Sequence, residues 1–275
     1  MSGSVTRKIN WIAFVLGWSV ALLIFFPILW MALTSIKTES EAYALRPGLL
    51  FHPTLESFRT VLSQSAYGHY AWNSVYVSVG ATLLATTLSV PAAYAMAFHP
   101  GPRTSGILMW MMSTRMMPPV STLIPTYLIL AHLGLIDSRI ALIGIYATMN
   151  LPITVWLVYS YFREIPHEIL EAGRIEGLSP WGEIWHLLLP MSLPGLASSA
   201  LLSLVLCWNE AFWSINLTSA KAGTLAVFIA GYSNPQGLFL AKLSAASILA
   251  IAPILVFGWA AQRQLVRGLT FGAVK

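Results

Sequence analysis

The stretch EAGRIEGLSPWGEIWHLLLP, residues 171–190, decides how this chain is read, because it sets dense charge beside long apolar runs. Glu164, Glu168, Glu171, Glu176 and Glu183 are half of the ten acidic residues and fall within 20 positions, interleaved with Arg163, His167, Arg174 and His186. Such a density marks an aqueous segment. Pro166 suits the first turn of a helix, where its missing N–H is not needed, and Ile165, Ile169 and Ala172 would then share one face. Gly177 can end that helix. Ser179 and Pro180 are an N-cap and first-turn pair for a second helix through Trp181, Ile184 and Leu188. Glu183 falls one position too late for a capping box. Residues 164–190 are therefore expected to form a helix, a glycine turn and a second helix across the ends of neighbouring spans.

The rest of the chain belongs in a bilayer. Hydrophobic residues make up 57% of the 275, charged residues 9%, and mean hydropathy is +0.71, a balance that no soluble surface sustains. Eleven Trp and ten Tyr suit repeated crossing of membrane interfaces. The +5 charge does not point to nucleic acid, because Lys and Arg are dispersed and flank apolar runs. Anionic lipid headgroups fit them better. One cysteine, Cys207, excludes an intrachain disulfide and a Cys-based metal cluster. Arg7 and Lys8 precede an apolar run that is too long for a signal peptide and lacks a small-residue cleavage site, so it reads as a retained first span.

A membrane helix needs about 20 mainly apolar residues. Lys8 to Lys37 encloses 28 uncharged residues, Arg59 to Arg103 encloses 43, Arg139 to Arg163 encloses 23 and Lys242 to Arg263 encloses 20. Two more intervals hold one internal charge each, Arg115 and Glu210. The expectation is an all-α integral membrane protein in one domain, residues 1–275, with six transmembrane helices at about 9–36, 73–98, 104–133, 140–162, 191–216 and 243–262. Residues 64–70 are polar enough to lie outside the hydrocarbon. Pro91, Pro118, Pro119, Pro125, Pro152 and Pro253 fall inside spans, where neighbouring helices or a cavity must satisfy the freed carbonyls. An even span number puts both termini on one side. Arg7, Lys8, Arg103, Arg163, Arg174, Arg263, Arg267 and Lys275 share that side against six cations opposite, which favours cytoplasmic termini.

The residues of the opening stretch also carry a resemblance. Glu171-Ala172, Gly177 six residues later and the closing Leu189-Pro190 resemble the EAA loop of permeases in bacterial binding-protein-dependent ABC importers. The chain departs from the usual pattern at Gly173, where a third Ala stands, at Glu176 for Asp and at Leu178 for Ala; the first should loosen the helix a little. The resemblance implies a coupling helix seated in a groove of the ATP-hydrolysing subunit, with Glu171, Ala172, Gly177, Leu178, Trp181 and Glu183 as contacts. It extends along the chain through PILWMALTSIK (27–37), NSVYVSVGATLLATTLSVPAAYAMAF (73–98) and QRQLVRGLTFGAVK (262–275), which are similar to maltose-type carbohydrate permeases. In that group the tail reaches the ATPase interface, which implicates Gly268, Leu269, Gly272 and Lys275. MMSTRMMPPV (111–120), LPMSLPGLASSALLS (189–203) and WNEAFWS (208–214) are closer still to permeases for mannitol, sorbitol and related polyols. The implied partners are a second homologous permease, two ATPase subunits holding ATP and Mg, and a periplasmic binding protein. The implied place is the bacterial inner membrane.

Intramembrane ionisable residues are costly and face a cavity or a partner. Arg115 lies twelve residues past Arg103, about 18 Å along a helix and near mid-bilayer; Glu210, twenty past Pro190, lies about 30 Å on, near the outer edge. On one reading Arg115 donates to polyol hydroxyls while Asn209, Trp213 and Asn216 form a helical stripe along the path, with Glu210 beside it and Asn150 as a further polar candidate. On the other, Arg115 binds helix carbonyls or the second membrane subunit and Glu210 lies in outer water. Two rival classes fare poorly. His167-Glu168 begins a zinc-protease motif, but Glu171 stands where the second His must be, and no GxxxxGK[ST] phosphate loop occurs. No internal repeat of the kind common in secondary transporters is found.

Overall fold

Every backbone polar group in hydrocarbon must be satisfied within its own segment, so spans of this composition fold as helices. The computed structural model describes residues 11–44, 48, 50–63, 66–234 and 237–270. In chain order the helices are α1 Trp11–Ser35, α2 Glu39–Ala42, α3 Glu56–Ser63, α4 Tyr67–Phe98, α5 Thr104–Arg115, α6 Pro119–His132, α7 Arg139–Phe162, α8 His167–Ile175, α9 Pro180–Gly182, α10 Leu189–Trp208, α11 Phe212–Leu217, α12 Leu225–Ala230 and α13 Leu240–Thr270. A π-helical turn, Glu183–Leu188, joins α9 to α10. The only strands among the described residues are Ser233–Asn234 and Gly237–Leu238, paired antiparallel. Among the described residues four helices are long and apolar enough to cross a membrane: Phe14–Ser35, Tyr67–Phe98, Arg139–Phe162 and Pro180–Trp208. Leu240–Val256 is a shorter apolar stretch.

The chain divides into two compact units. In the first, formed by Met1–Ser65 and Tyr232–Leu249, Thr38 and Glu41 close a capping box at the start of α2. The His52 backbone N–H, then the Thr38 hydroxyl and backbone N–H, hold the Glu41 carboxyl down at about 2. Glu39 Oε2 accepts from the Ala241 N–H at 2.9 Å. Lys37 is buried, donates to the Gly48 carbonyl at 3.1 Å, and lies 4.9 Å from the ring centroids of both Trp30 and Phe51.

The second unit, Ala66–Gly231 with Ala250–Lys275, is organised on α4 and α7. Small buried residues of α4 at four-residue spacing, Ala81, Ala85, Ser89, Ala93 and Ala97, let the backbones approach closely, which is how helices gain packing energy where lipid removes the hydrophobic drive. One apolar cluster joins Tyr94 and Phe98 of α4 to Phe162 of α7, Leu170 of α8 and Ile184 and Leu188 of the π turn. A second joins Val77 and Ala81 to Leu142 and Tyr146 of α7 and to Cys207, Trp213 and Leu217.

Several expected boundaries shift. The interval 104–133 is two helices, because Pro118 and Pro119 supply no N–H and Pro119 restarts the helix as its first residue. The interval 191–216 is also broken: its helix runs continuously from Pro180 to Trp208, then breaks before α11. Helix α4 begins at Tyr67, six residues before the expected start of the span at 73. Gly268 and Leu269 lie within α13, whereas Gly272 and Lys275 lie outside the described residues.

Candidate functional site

The 164–190 segment folds as a helix, a glycine turn and a second helical start. Pro166 precedes α8, and Gly177 takes φ +88°, a left-handed conformation that costs a residue with a Cβ roughly 1–2 kcal/mol. Ser179 caps the next turn by accepting from the Gly182 N–H at 3.3 Å. The second helix does not stop short of the membrane span. It passes through the π turn, and Pro190 sits inside the continuous helix.

Along and just before α8 the expected face is unevenly covered, with Ile165 buried. Leu170 and Gly173 are buried, Ile169 is half-buried and Ala172 is exposed. A Cβ on Gly173 would lie 2.8 Å from Leu187 Cδ1 and 3.1 Å from Leu178 Cδ1. The glycine that departs from the usual pattern is thus where α8 packs closest against the following segment. Glu171, Ala172, Gly177 and Trp181 are exposed, and Leu178 is half-buried.

Glu183, expected on the outer surface with them, is 1% exposed. Its Oε1 accepts from Arg174 Nε at 2.7 Å, and its Oε2 accepts from Arg174 Nη2 at 3.3 Å and from the Tyr94 hydroxyl at 2.7 Å. His99 Nε2 lies 3.3 Å from that hydroxyl. A carboxylate this deep persists only when its lone pairs are filled, and here two donors from α8 and α4 fill them. The group therefore ties α8 and the entry to α10 to the end of α4. Its signal was present in sequence only as spacing: Arg174 and Glu183 are nine residues apart across a turn.

Farther along the spans, Arg115 ends α5 half-buried. Its Nη1 donates to the Met149 carbonyl at 2.6 Å and to Asn150 Oδ1 at 3.3 Å. Pro152 lacks the N–H that would reach the Thr148 carbonyl, one residue before Met149. Arg115 thus meets a helix carbonyl through Nη1. Asn150 is buried and donates through Nδ2 to the Tyr146 carbonyl at 2.9 Å and to Cys207 Sγ at 3.1 Å, so the chain of contacts runs from α5 through α7 to α10.

The expected stripe of Asn209, Trp213 and Asn216 is not formed. Asn209 caps the end of α10 by donating to the Val205 carbonyl at 2.8 Å, and Asn216 donates to the Phe212 carbonyl at 2.7 Å; both are exposed. Trp213 is buried between them. Glu210 Oε1 accepts from the Trp213 N–H at 3.3 Å, its carbonyl accepts from the Tyr146 hydroxyl at 3.0 Å, and it makes no ion pair with Arg115. A cavity of about 360 Å³ is lined by Arg115 and Trp213 with Thr114, Thr122, Thr148 and Pro152.

One acidic residue that sequence reasoning passed over organises a loop. Asp137, at φ +55°, accepts through Oδ1 from the N–H groups of Ser219 and Ala222 at 2.9 Å each. Its Oδ2 accepts from the Ser219 hydroxyl at 2.9 Å and the Lys221 N–H at 3.1 Å. Asn73 Nδ2 donates to the carbonyls of Lys221 and Gly223 in the same loop. Burial pushes the Asp137 pKa up, but these donors outweigh it and hold it below the usual aspartate range. Among the described residues no cluster of three or more His, Cys, Asp or Glu forms a metal site.

Comparison with known proteins matches this architecture. The chain is 31% identical over 98% of its length, and 96% of the relative's, to a probable ABC transporter permease protein, y4oR, of Sinorhizobium fredii. It is 30% identical over 90% of its length, and 92% of the relative's, to the trehalose transport system permease protein SugB of Mycobacterium tuberculosis. A crystal structure of a bacterial ABC transporter involved in import of the acidic polysaccharide alginate has a chain with the same fold, at TM-score 0.76 and 20% identity, covering 96% of this chain and 98% of that one. Residues 89–270, which contain the α8–Gly177 turn and the buried Glu183, match the family of binding-protein-dependent transport system inner membrane components, and the chain belongs to that family.

Proposed function

We propose that the chain is the permease subunit of an ATP-driven importer that moves carbohydrates, polyols foremost, across the bacterial inner membrane by alternating access. The observation that carries this reading is the α8–Gly177–Ser179 turn, whose Arg174 is tied through Glu183 to α10 and through Tyr94 to α4. A push on the exposed face of α8 at Glu171 and Ala172 is thereby delivered to two long helices at once. In this reading Gly177, Leu178 and Trp181 complete the surface that meets the ATPase, and Gly268, Leu269, Gly272 and Lys275 form the tail that reaches it. Arg115, Asn150, Glu210 and Trp213 belong to the substrate path, with Asn209 and Asn216 at its exposed end.

Six spans, both termini cytoplasmic, and one membrane domain complete the arrangement. The broken α5–α6 pair and α13 supply the two spans beyond the four long helices. The chain carries out no chemistry. ATP and Mg sit on two partner ATPases, a second homologous permease completes the pore, and a periplasmic binding protein delivers the ligand. Closure of the ATPase pair moves the membrane helices because it binds one membrane conformation better than the other. The relative named for trehalose supports a second reading, in which the ligand is a disaccharide.

Co-purification tests the assembly: the chain should retain an ATPase, and Glu171→Lys or Gly177→Pro should leave it in the membrane while uncoupling uptake. A lone chain that transports by itself would remove the reading. The ligand preference of the co-purifying binding protein decides between polyol and disaccharide.

A further inference from the structure

Two helical paths are interrupted around one cavity, and a third carries a proline there. Helix α5 gives way to α6 between Arg115 and Pro119, α7 carries Pro152, and α10 stops at Trp208 before α11 resumes at Phe212. Arg115, Pro119 and Trp213, at or beside the two breaks, and Met149 and Pro152 of α7 line the same space of about 360 Å³. Irregular backbone within a membrane is tolerated only where protein buries it or where it borders a polar cavity.

We propose that this cavity is a subsite for a neutral polyhydroxylated ligand the size of a monosaccharide or hexitol, an inference that rests on the importer reading above. Its hydrogen-bonding groups are sorted by role. Thr114, Thr122 and Thr148 spend their O–H groups on carbonyls of their own helices, Met111 at 2.7 Å, Pro119 at 3.0 Å and Gly144 at 2.8 Å. They therefore meet a ligand with lone pairs. Arg115 commits only Nη1, and its Nε and Nη2 make no hydrogen bond among the described residues. They are the cavity's donors, and no carboxylate lines it.

A ligand hydroxyl serves both sides, accepting from Arg115 and donating to a threonine. A carboxylate would meet one cation and three oxygens already oriented as acceptors. Trp213 adds apolar wall for C–H groups, and its Nε1 is buried without a partner. The volume lies at the small end of the roughly 300–1,000 Å³ range of small-molecule sites. Asn209 and Asn216 do not line the cavity, so recognition falls to the threonines instead.

The test uses the assembled importer with its binding protein in ATP-loaded proteoliposomes, and the probes are D-mannitol, D-glucose and D-gluconate. Uptake per ATP hydrolysed is the readout. A neutral probe should be carried, and Thr122→Val and Thr148→Val should each lower its uptake per ATP about fivefold to tenfold, the effect of one lost buried hydrogen bond. Thr122→Ser, which keeps the oxygen, should restore it. Full uptake in both valine variants overturns the subsite, as does preference for D-gluconate. Loss of the second permease from purified Thr122→Val complex also overturns it, making this face a subunit contact. An assembled complex that moves only longer oligosaccharides rejects the size class and leaves the importer reading standing. A wild-type chain that never retains an ATPase rejects the importer reading itself.

Discussion

Arg174 and Glu183 meet through two hydrogen bonds, Nε to Oε1 at 2.7 Å and Nη2 to Oε2 at 3.3 Å, although Arg174 lies in the last turn of α8 and Glu183 opens the π turn into α10. The pair fixes the angle at which the short helix meets the long one. Its two halves differ in exposure, 44% for the Arg174 side chain and 2% for Glu183, so removing Arg174 strands a buried carboxylate. Breaking a buried pair from one side costs about 3–5 kcal/mol, and the exposed guanidinium puts this one at the lower end. Arg174→Ala and Glu183→Ala should each lower the thermal midpoint of the purified complex by several degrees, whereas Glu171→Ala on the exposed face should not. Equal midpoints in all three would reject the bracing role.

Tyr94 separates bracing from transmission. Its hydroxyl donates to Glu183 from the far side, at 2.7 Å, and its ring packs with Phe98 in the cluster that holds α4, α7 and α8 together. Tyr94→Phe keeps the ring and leaves Glu183 with Arg174 alone. Assembly with the ATPase should survive, while substrate moved per ATP falls by roughly tenfold or more, the size of one hydrogen bond to a charged group. Measuring ATP hydrolysis and uptake on the same vesicles checks this; an unchanged ratio means that α4 receives no force through the hydroxyl.

Much of this was legible from local rules. The Ser179 cap, the Gly177 turn and the first and fourth spans follow from capping chemistry and charge-free intervals, which depend only on neighbours in the chain. What failed depends on long-range partners. Glu183 looked like a surface charge because sequence shows its polarity but not that Arg174 and Tyr94 converge on it. The breaks at Pro118 and after Trp208 were hidden by treating apolar intervals as single helices. Their result, the cavity at Arg115 and Trp213, needs three segments that lie far apart in the chain. Asp137 was missed for the same reason: its four donors come from residues 219–222.

The Asp137 loop should be pH-sensitive in one direction. The donors favour the ionised carboxylate and lower its pKa in the fold, so the stabilisation is fully present above the unfolded value, about 3.9, and is lost as pH falls through the lower folded value. Amide exchange across residues 218–224 should therefore be slow and flat from pH 7 down to about 4, after correction for the intrinsic rate, and should accelerate below that. Asp137→Asn tolerates the positive φ but cannot accept through both oxygens, so it should show the fast exchange at pH 7. Identical protection in wild type and variant at neutral pH would rule out the latch.

Gly177 and Gly173 should respond differently to the same added methyl. At Gly177 nothing crowds a new Cβ, yet φ is +88°, so alanine is strained whatever the space. Gly177→Ala should cost about 1–2 kcal/mol of local stability. It should also loosen the turn that orients α8. At Gly173 the backbone is ordinary helix and the obstructions are the tips of Leu187 and Leu178, which can turn aside. Gly173→Ala gains up to about 1 kcal/mol of helix propensity against a small repacking cost, so its net effect should be near zero. Proteolytic sensitivity of the 164–190 segment in each purified complex separates the two: faster cleavage in Gly177→Ala and wild-type cleavage in Gly173→Ala. Faster cleavage in Gly173→Ala would show that these tips are fixed and that the close approach of α8 to the following helix sets the coupling geometry.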